Sequence, residues 1–189
     1  KLEASPNLVE ESANDVFKSF KPEAVADPVP KIRLTPSVKQ RVEKMEARSQ
    51  IRIGIPRALN MYSLTPVFTG YFESLGIPFK NFVFSNFTSE KLYKEGAKRG
   101  SIDPCFPSKL GIPHVHNLIY EKHGKKPLDI IFFPMIDNFP SDIKNTQDCR
   151  ACPTVTTTPE AVKAAFIKEG DIFKDKGIKF LNTFDTFIL

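Results

Sequence analysis

The run Leu128-Asp129-Ile130-Ile131-Phe132-Phe133, closed by Pro134, limits the fold of this chain more than any other segment. It is too short for a core helix and reads as a strand buried on both faces, which is the habit of a parallel sheet lying between helices. Neighbouring patterns agree. Ile51-Arg52-Ile53-Gly54-Ile55 alternates like a strand and stops at Pro56, Pro78 to Phe84 reads as a second strand, and Gly177 precedes a last one over Ile178-Lys179-Phe180-Leu181. Helical spacing fills the gaps. Val67, Phe68, Tyr71, Phe72 and Leu75 share one face of a helix over Pro66–Leu75, with Thr65 suited to its start and Gly76 to its end. A helix is expected over about 89–98, closed near Gly100. Another should run from Phe106 to Lys122, bent near Gly111 and Pro113, with Leu110, Val115, Leu118 and Ile119 inward. After Pro134 a long loop is expected to about 157, and then a helix opening at Thr158-Pro159-Glu160 with Val162, Ala165, Phe166 and Ile167 inward.

Strand, helix, strand, helices, strand, helix, strand is the order of an α/β fold: a parallel sheet of about four strands with helices on both faces. The loops that leave the carboxyl ends of such strands share one edge, where ligands bind. Residues 51–189 are read as this domain. Residues 1–35, with Pro6, Pro22, Pro28 and Pro30 among charged residues, have the composition of an extended tail or linker. Residues 36–50 are read as a short helical lead-in, with Thr35 as N-cap, Pro36 at the first helical position, and Val38, Val42 and Met45 on one face. The chain starts at Lys1 without methionine and ends on Phe187-Ile188-Leu189, so a fragment of a longer protein is expected.

Composition removes several classes of function. A hydrophobic share of 41% supports a folded core, and the 17 phenylalanines fall largely in apolar runs, as core residues do. The net charge of +5 comes from 27 basic and 22 acidic residues with no block of five like charges, which argues against a nucleic-acid surface. No stretch approaches the roughly 18 apolar residues needed to span a bilayer. Residues 1–30 lack the pattern of a secretory signal, and three cysteines make an odd number, so reduced thiols and a cytoplasmic location are expected.

Those cysteines carry the most chemistry. Cys105 lies in Asp103-Pro104-Cys105-Phe106-Pro107, and the others form Cys149-Arg150-Ala151-Cys152-Pro153. All three are expected in proline-rich loops at the carboxyl edge of the sheet. A lone cysteine is often a small buried hydrophobe. The Cys149-x-x-Cys152 spacing equally lets two thiolates reach one metal or form a redox pair. A zinc site would want a fourth ligand such as His114 or His116, although these two point different ways on a helix, and satisfied surface or core histidines are the plainer reading. Lys109 and Arg150 sit beside the cysteines as modulators of thiol pKa or as solvated charges. Arg57 follows the first strand without any glycine-rich phosphate loop, in a structural or substrate-edge role.

Ile53-Gly54-Ile55-Pro56-Arg57-Ala58-Leu59-Asn60-Met61-Tyr62, Asp103-Pro104-Cys105-Phe106-Pro107-Ser108-Lys109, the Ile131-Phe132-Phe133-Pro134 strand end and Cys152-Pro153 together carry a resemblance. Over about 51–182 the chain resembles the domain that follows the ATPase units in large activase-like proteins of the 2-hydroxyglutaryl-CoA dehydratase system. That domain is similar to iron–sulfur dehydratase subunits and double-cubane cluster proteins. The resemblance implies a Rossmann-like domain that binds a [4Fe–4S] cluster through cysteines and takes part in electron transfer or dehydratase-like chemistry. By position Cys105 and Cys152 match the family's Cys-Phe-Pro and Cys-Pro motifs, and Cys149 is a third ligand of the right type. Implied partners are ATPase domains of the same longer protein and an acyl-CoA dehydratase or similar redox partner, with no membrane and no nucleic acid. This piece alone should not hydrolyse ATP. The alternatives are a metal-free docking module and a structural zinc site; sulfur separations beyond about 7 Å would favour the former.

Overall fold

The computed structural model describes residues 7–17, 35–100, 105–139, 141, 143–145 and 149–186. In chain order the elements are α1 (Leu8–Val16), α2 (Pro36–Arg48), β1 (Ile53–Ile55), α3 (Met61–Ser74), β2 (Phe82–Phe84), α4 (Glu90–Gly96), α5 (Phe106–Lys109), α6 (Gly111–Asn117), α7 (His123–Lys125), β3 (Ile130–Phe132), β4 (Met135–Phe139), β5 (Cys149–Arg150), α8 (Pro153–Ile167), α9 (Ile172–Asp175), β6 (Lys179–Leu181) and β7 (Phe184–Thr186). Two compact units divide the chain, Lys1–Ile51 with Tyr62–Phe82, and Arg52–Met61 with Val83–Leu189.

The first unit holds α1, α2 and nearly all of α3. Helix α1 corrects the reading of 1–35 as linker, although the prolines at 22, 28 and 30 lie outside the described residues. The stretch after Pro6 is free of proline. The Asn7 side chain accepts from the Glu10 amide, Glu10 and Glu11 offset the helix dipole, and Ala13 and Phe17 are buried. Phe17 meets Tyr62 edge-on at 5.4 Å between ring centroids. Helix α2 has the expected bounds, but the Thr35 hydroxyl bonds to Ser37 rather than capping a backbone amide. Helix α3 begins four residues before the expected Thr65 cap and contains Pro66. The Thr69 hydroxyl donates to the Thr65 and Pro66 carbonyls at 3.0 and 3.2 Å. Gly76 ends this stretch in the left-handed region at φ 98°, where a Cβ would also come within 2.8 Å of the Met45 carbonyl oxygen.

The second unit is built on the expected α/β plan, a four-stranded parallel sheet in the order β2-β1-β3-β6 flanked by helices. Ile53 and Gly54 pair with Ile130 and Ile131, while Ile130, Ile131 and Phe132 pair with Lys179, Phe180 and Leu181. Its core includes Ile53, Ile55, Val115, Leu118, Ile131 and Val162, all fully buried. Each such side chain contributes on the order of 2 kcal/mol of hydrophobic stabilisation. The strand order reverses at β1, so the crevice between the carboxyl ends of β1 and β3 is the topological switch point.

Three elements differ from the sequence reading. The expected strand 78–84 is a 3₁₀ turn over Phe79–Asn81 followed by β2. The loop expected from Pro134 to about 157 contains β4 and β5, and β4, β5 and β7 form a second sheet in the order β5-β4-β7. The Phe133 amide donates to the Leu181 carbonyl and the Met135 amide to the Thr183 carbonyl, both at 2.9 Å, so the β3/β6 ladder continues across Pro134 into β4/β7. Helix α8 starts at Pro153, not Thr158. Its threonine run folds inward on the helix, with the Thr156, Thr157 and Thr158 hydroxyls donating to the Cys152, Pro153 and Thr154 carbonyls. Among the described residues no helix is long and apolar enough to cross a membrane.

Candidate functional site

The loops at the carboxyl ends of β1 and β2 meet through one polar chain of contacts. The Ser85 amide donates to the Ile55 carbonyl at 3.1 Å, which brings its hydroxyl under the loop after β1. There the Ser85 Oγ accepts from the Arg57 amide at 2.8 Å and lies 2.8 Å from His114 Nδ1. The other imidazole nitrogen, Nε2, is 3.0 Å from the Thr88 hydroxyl. Each imidazole nitrogen thus faces a hydroxyl, a group that can donate or accept. Burial, joined by the nearby Arg57 charge, lowers the His114 pKa to about 4. Arg57 Nη1 donates to the Ser85 carbonyl at 2.6 Å, and the guanidinium lies over the Phe87 and Phe84 rings at 4.0 and 5.4 Å.

This cluster ties β1, β2 and α6 together. His114 is a satisfied core histidine, as the plainer sequence reading had it. Both ring nitrogens are spent, and that removes His114 from any Cys₃His zinc site. His116 is half-buried, its ring tilted against Tyr120 with 4.5 Å between centroids. Arg57 is held as a structural residue of the edge. Ser85 and Thr88 were missed by sequence reasoning, because nothing local links Ser85 to a histidine 29 positions away.

The three cysteines occupy different local settings, and none forms a disulfide. Cys105 is half-buried and is the N-cap of α5, which continues through a helical Leu110 into α6. Cys152 is exposed and is the N-cap of α8, with Pro153 at the first helical position. Cys149 is exposed in β5, opposite Phe139 of β4. Cys149 and Cys152 are therefore not both in a loop: one is in a strand and the other opens a helix.

Helices α5 and α6 both pack on α8. Gly111 makes the approach possible, because a Cβ there would come within 3.0 Å of the Thr158 and Val162 methyls. Cys105 lies six residues before Gly111, and Cys152 six before Thr158. Among the described residues, the buried Ser108 Oγ on α5 and Asn138 Oδ1 on β4 lack a hydrogen-bond partner. Ser108 follows Cys105 by one helical turn, and Asn138 pairs with Arg150, next to Cys149.

That arrangement meets a cluster's needs only in part. Two thiols at the starts of contacting helices and the unspent Ser108 hydroxyl, which can donate, suit an anionic sulfur-rich group, whereas the Asn138 Oδ1 only accepts and does not. Among the described residues, however, no set of three or more His, Cys, Asp or Glu side chains is close enough together to hold a metal ion. The cysteines do not form a ready three-thiolate cradle.

Comparison with known proteins identifies one family. No curated protein and no solved structure matches the chain. Residues 52–187 match the family described as CoA enzyme activase uncharacterised domain (DUF2229). The match runs through both cysteine motifs and the whole parallel sheet, and it supports an acyl-CoA dehydratase activase-like domain. On that match, the chain belongs to the CoA enzyme activase domain family.

Proposed function

We propose that this domain is the thiolate-bearing electron-transfer or dehydratase-like module of an ATP-dependent acyl-CoA dehydratase activase. In this reading Cys105 and Cys152 are the first ligands of a [4Fe–4S] cluster and Cys149 is the third. One observation carries it: Cys105 and Cys152 cap the starts of two contacting helices. Thiolate sulfur suits iron, and the amino end of the 15-residue α8 favours added negative charge. When bound, the cluster would supply one-electron transfer. The chain's own residues would hold the sulfurs on stiff supports, through Pro107 in α5 and Pro153 in α8. Exposed Phe106 beside Cys105, its ring 5.8 Å from Tyr93, would give a redox partner an apolar foothold. ATPase domains of the same longer protein would deliver the electron, and an acyl-CoA dehydratase would receive it.

A second reading, a metal-free docking module, is favoured by the lack of a three-ligand set among the described residues. Anaerobic reconstitution with iron and sulfide separates the two. About four irons per chain with a paramagnetic signal on reduction support the cluster, provided Cys105→Ser or Cys152→Ser abolishes both. A folded protein that stays free of iron under those conditions refutes it and leaves the docking module. Zinc retained after aerobic purification would instead point to a structural site.

A further inference from the structure

A cleft of about 340 Å³ opens in the second unit, lined by Glu95, Lys98, Arg99, His116, Ala165, Phe166, Lys168 and Glu169. It lies between the end of α4, the end of α6 and the last turn of α8, whereas Cys105 and Cys152 stand at helix starts. Its volume is at the lower end of the roughly 300–1,000 Å³ typical of small-molecule sites.

Arg99 organises this cleft. Its guanidinium carbon lies 5.1 Å from the Tyr120 ring centroid and 5.0 Å from that of Phe166, and Nη2 donates to the Tyr120 hydroxyl. The two rings fix the plane of the guanidinium, so little side-chain freedom remains to be lost on binding. Tyr120 is its only hydrogen-bond acceptor among the described residues, which leaves further N–H donors unspent. None of the ion pairs among the described residues involves Arg99, Lys98 or Lys168. Glu95 pairs outward with Lys91 at 3.9 Å. Lys176 adds a further cation above Tyr120, 5.5 Å from the ring centroid.

A planar, pre-oriented guanidinium without a carboxylate, flanked by two lysines and a half-buried imidazole, is built to receive a multiply charged oxyanion in bidentate fashion. We propose that this cleft binds a phosphate-bearing small molecule, with Arg99 as the bidentate anchor and Lys98 and Lys168 as flanking charges. Glu95 and Glu169 in the lining supply acceptors for hydroxyl groups of the ligand.

Titration of the full chain with inorganic pyrophosphate, followed by two-dimensional NMR and calorimetry, tests this. The expected result is saturable shifts confined to Lys98–Gly100, His116 and Ala165–Glu169, together with a raised His116 titration midpoint. Arg99→Lys should weaken binding at least tenfold, because an ammonium cannot bridge two oxygens. The double variant Lys98→Ala/Lys168→Ala, at two exposed positions, should weaken it about tenfold with the unfolding midpoint unchanged, and it decides the matter if Arg99→Lys fails to fold. Shifts spread over all surface lysines and indifferent to both variants would overturn the proposal. So would citrate binding as tightly as pyrophosphate, since that would make the cleft a general anion site.

Discussion

Two regions of the second unit treat their polar groups in different ways. Around His114 a continuous chain of contacts runs from the Arg57 amide through Ser85 and the imidazole to Thr88. Around the cysteines, two thiols are exposed and two buried polar atoms have no partner. A closed network stabilises a fold and needs nothing added. An open one costs stability for as long as it stays open. On the proposed reading, the cysteine end and not the histidine is the part that takes up something from outside the chain.

The comparison breaks first if His114 proves dispensable. His114→Leu strands Ser85 and Thr88 and should destabilise the protein by about 3–4 kcal/mol in denaturant unfolding. Acid is a gentler probe of the same residue. The unfolded chain takes up a proton on histidine near pH 6.5 but folded His114 only near 4, so between those values the unfolded state binds more protons. Stability should therefore fall by about 3 kcal/mol as pH drops from 6.5 to 4, and stop falling from this source below that. The His114→Leu variant should lose this slope. Gly111→Ala comes next, since its methyl would wedge α6 from α8; a loss of about 1–2 kcal/mol and weaker iron uptake are expected on reconstitution. Smallest, and of opposite sign, is Ser108→Ala. Removing an unsatisfied buried hydroxyl should leave the metal-free protein unchanged or about 0.5 kcal/mol more stable. A clear loss there would show that Ser108 belongs to a closed network after all.

The parallel sheet was legible because its strands announce themselves twice, by apolar runs and by the prolines or glycines that bound them. Gly76 was legible for a similar reason, being the residue type its left-handed geometry requires, whereas the Ser89 side chain, which accepts from the Leu92 amide at 3.2 Å, was not singled out as a cap. Helix α1 was hidden by the prolines on either side of it. The start of α8 was hidden by Thr156-Thr157-Thr158, whose hydroxyls satisfy local carbonyls and so make a helix from residues of low helix propensity. Strand β4 lay beyond Pro134, where a strand was taken to stop, yet proline removes one donor without ending the ladder when the next amide bonds onward. The Ser85–His114 pairing depends on tertiary contact alone. Phe106, outside those apolar runs, is 57% exposed beside Cys105.

The ladder that runs unbroken from β3 into β4 makes the cysteine end mechanically continuous with the middle of the sheet. Cys149 pairs beside β4, the Ala151 amide donates to the Asp137 carbonyl at 2.8 Å, and the Thr156 hydroxyl donates to the Ile136 carbonyl at 3.1 Å. A force applied at that sulfur is thus delivered along a taut backbone to Ile131, not dissipated in a slack connection. Occupancy at the rim should be audible in the slowest-exchanging amides of the interior.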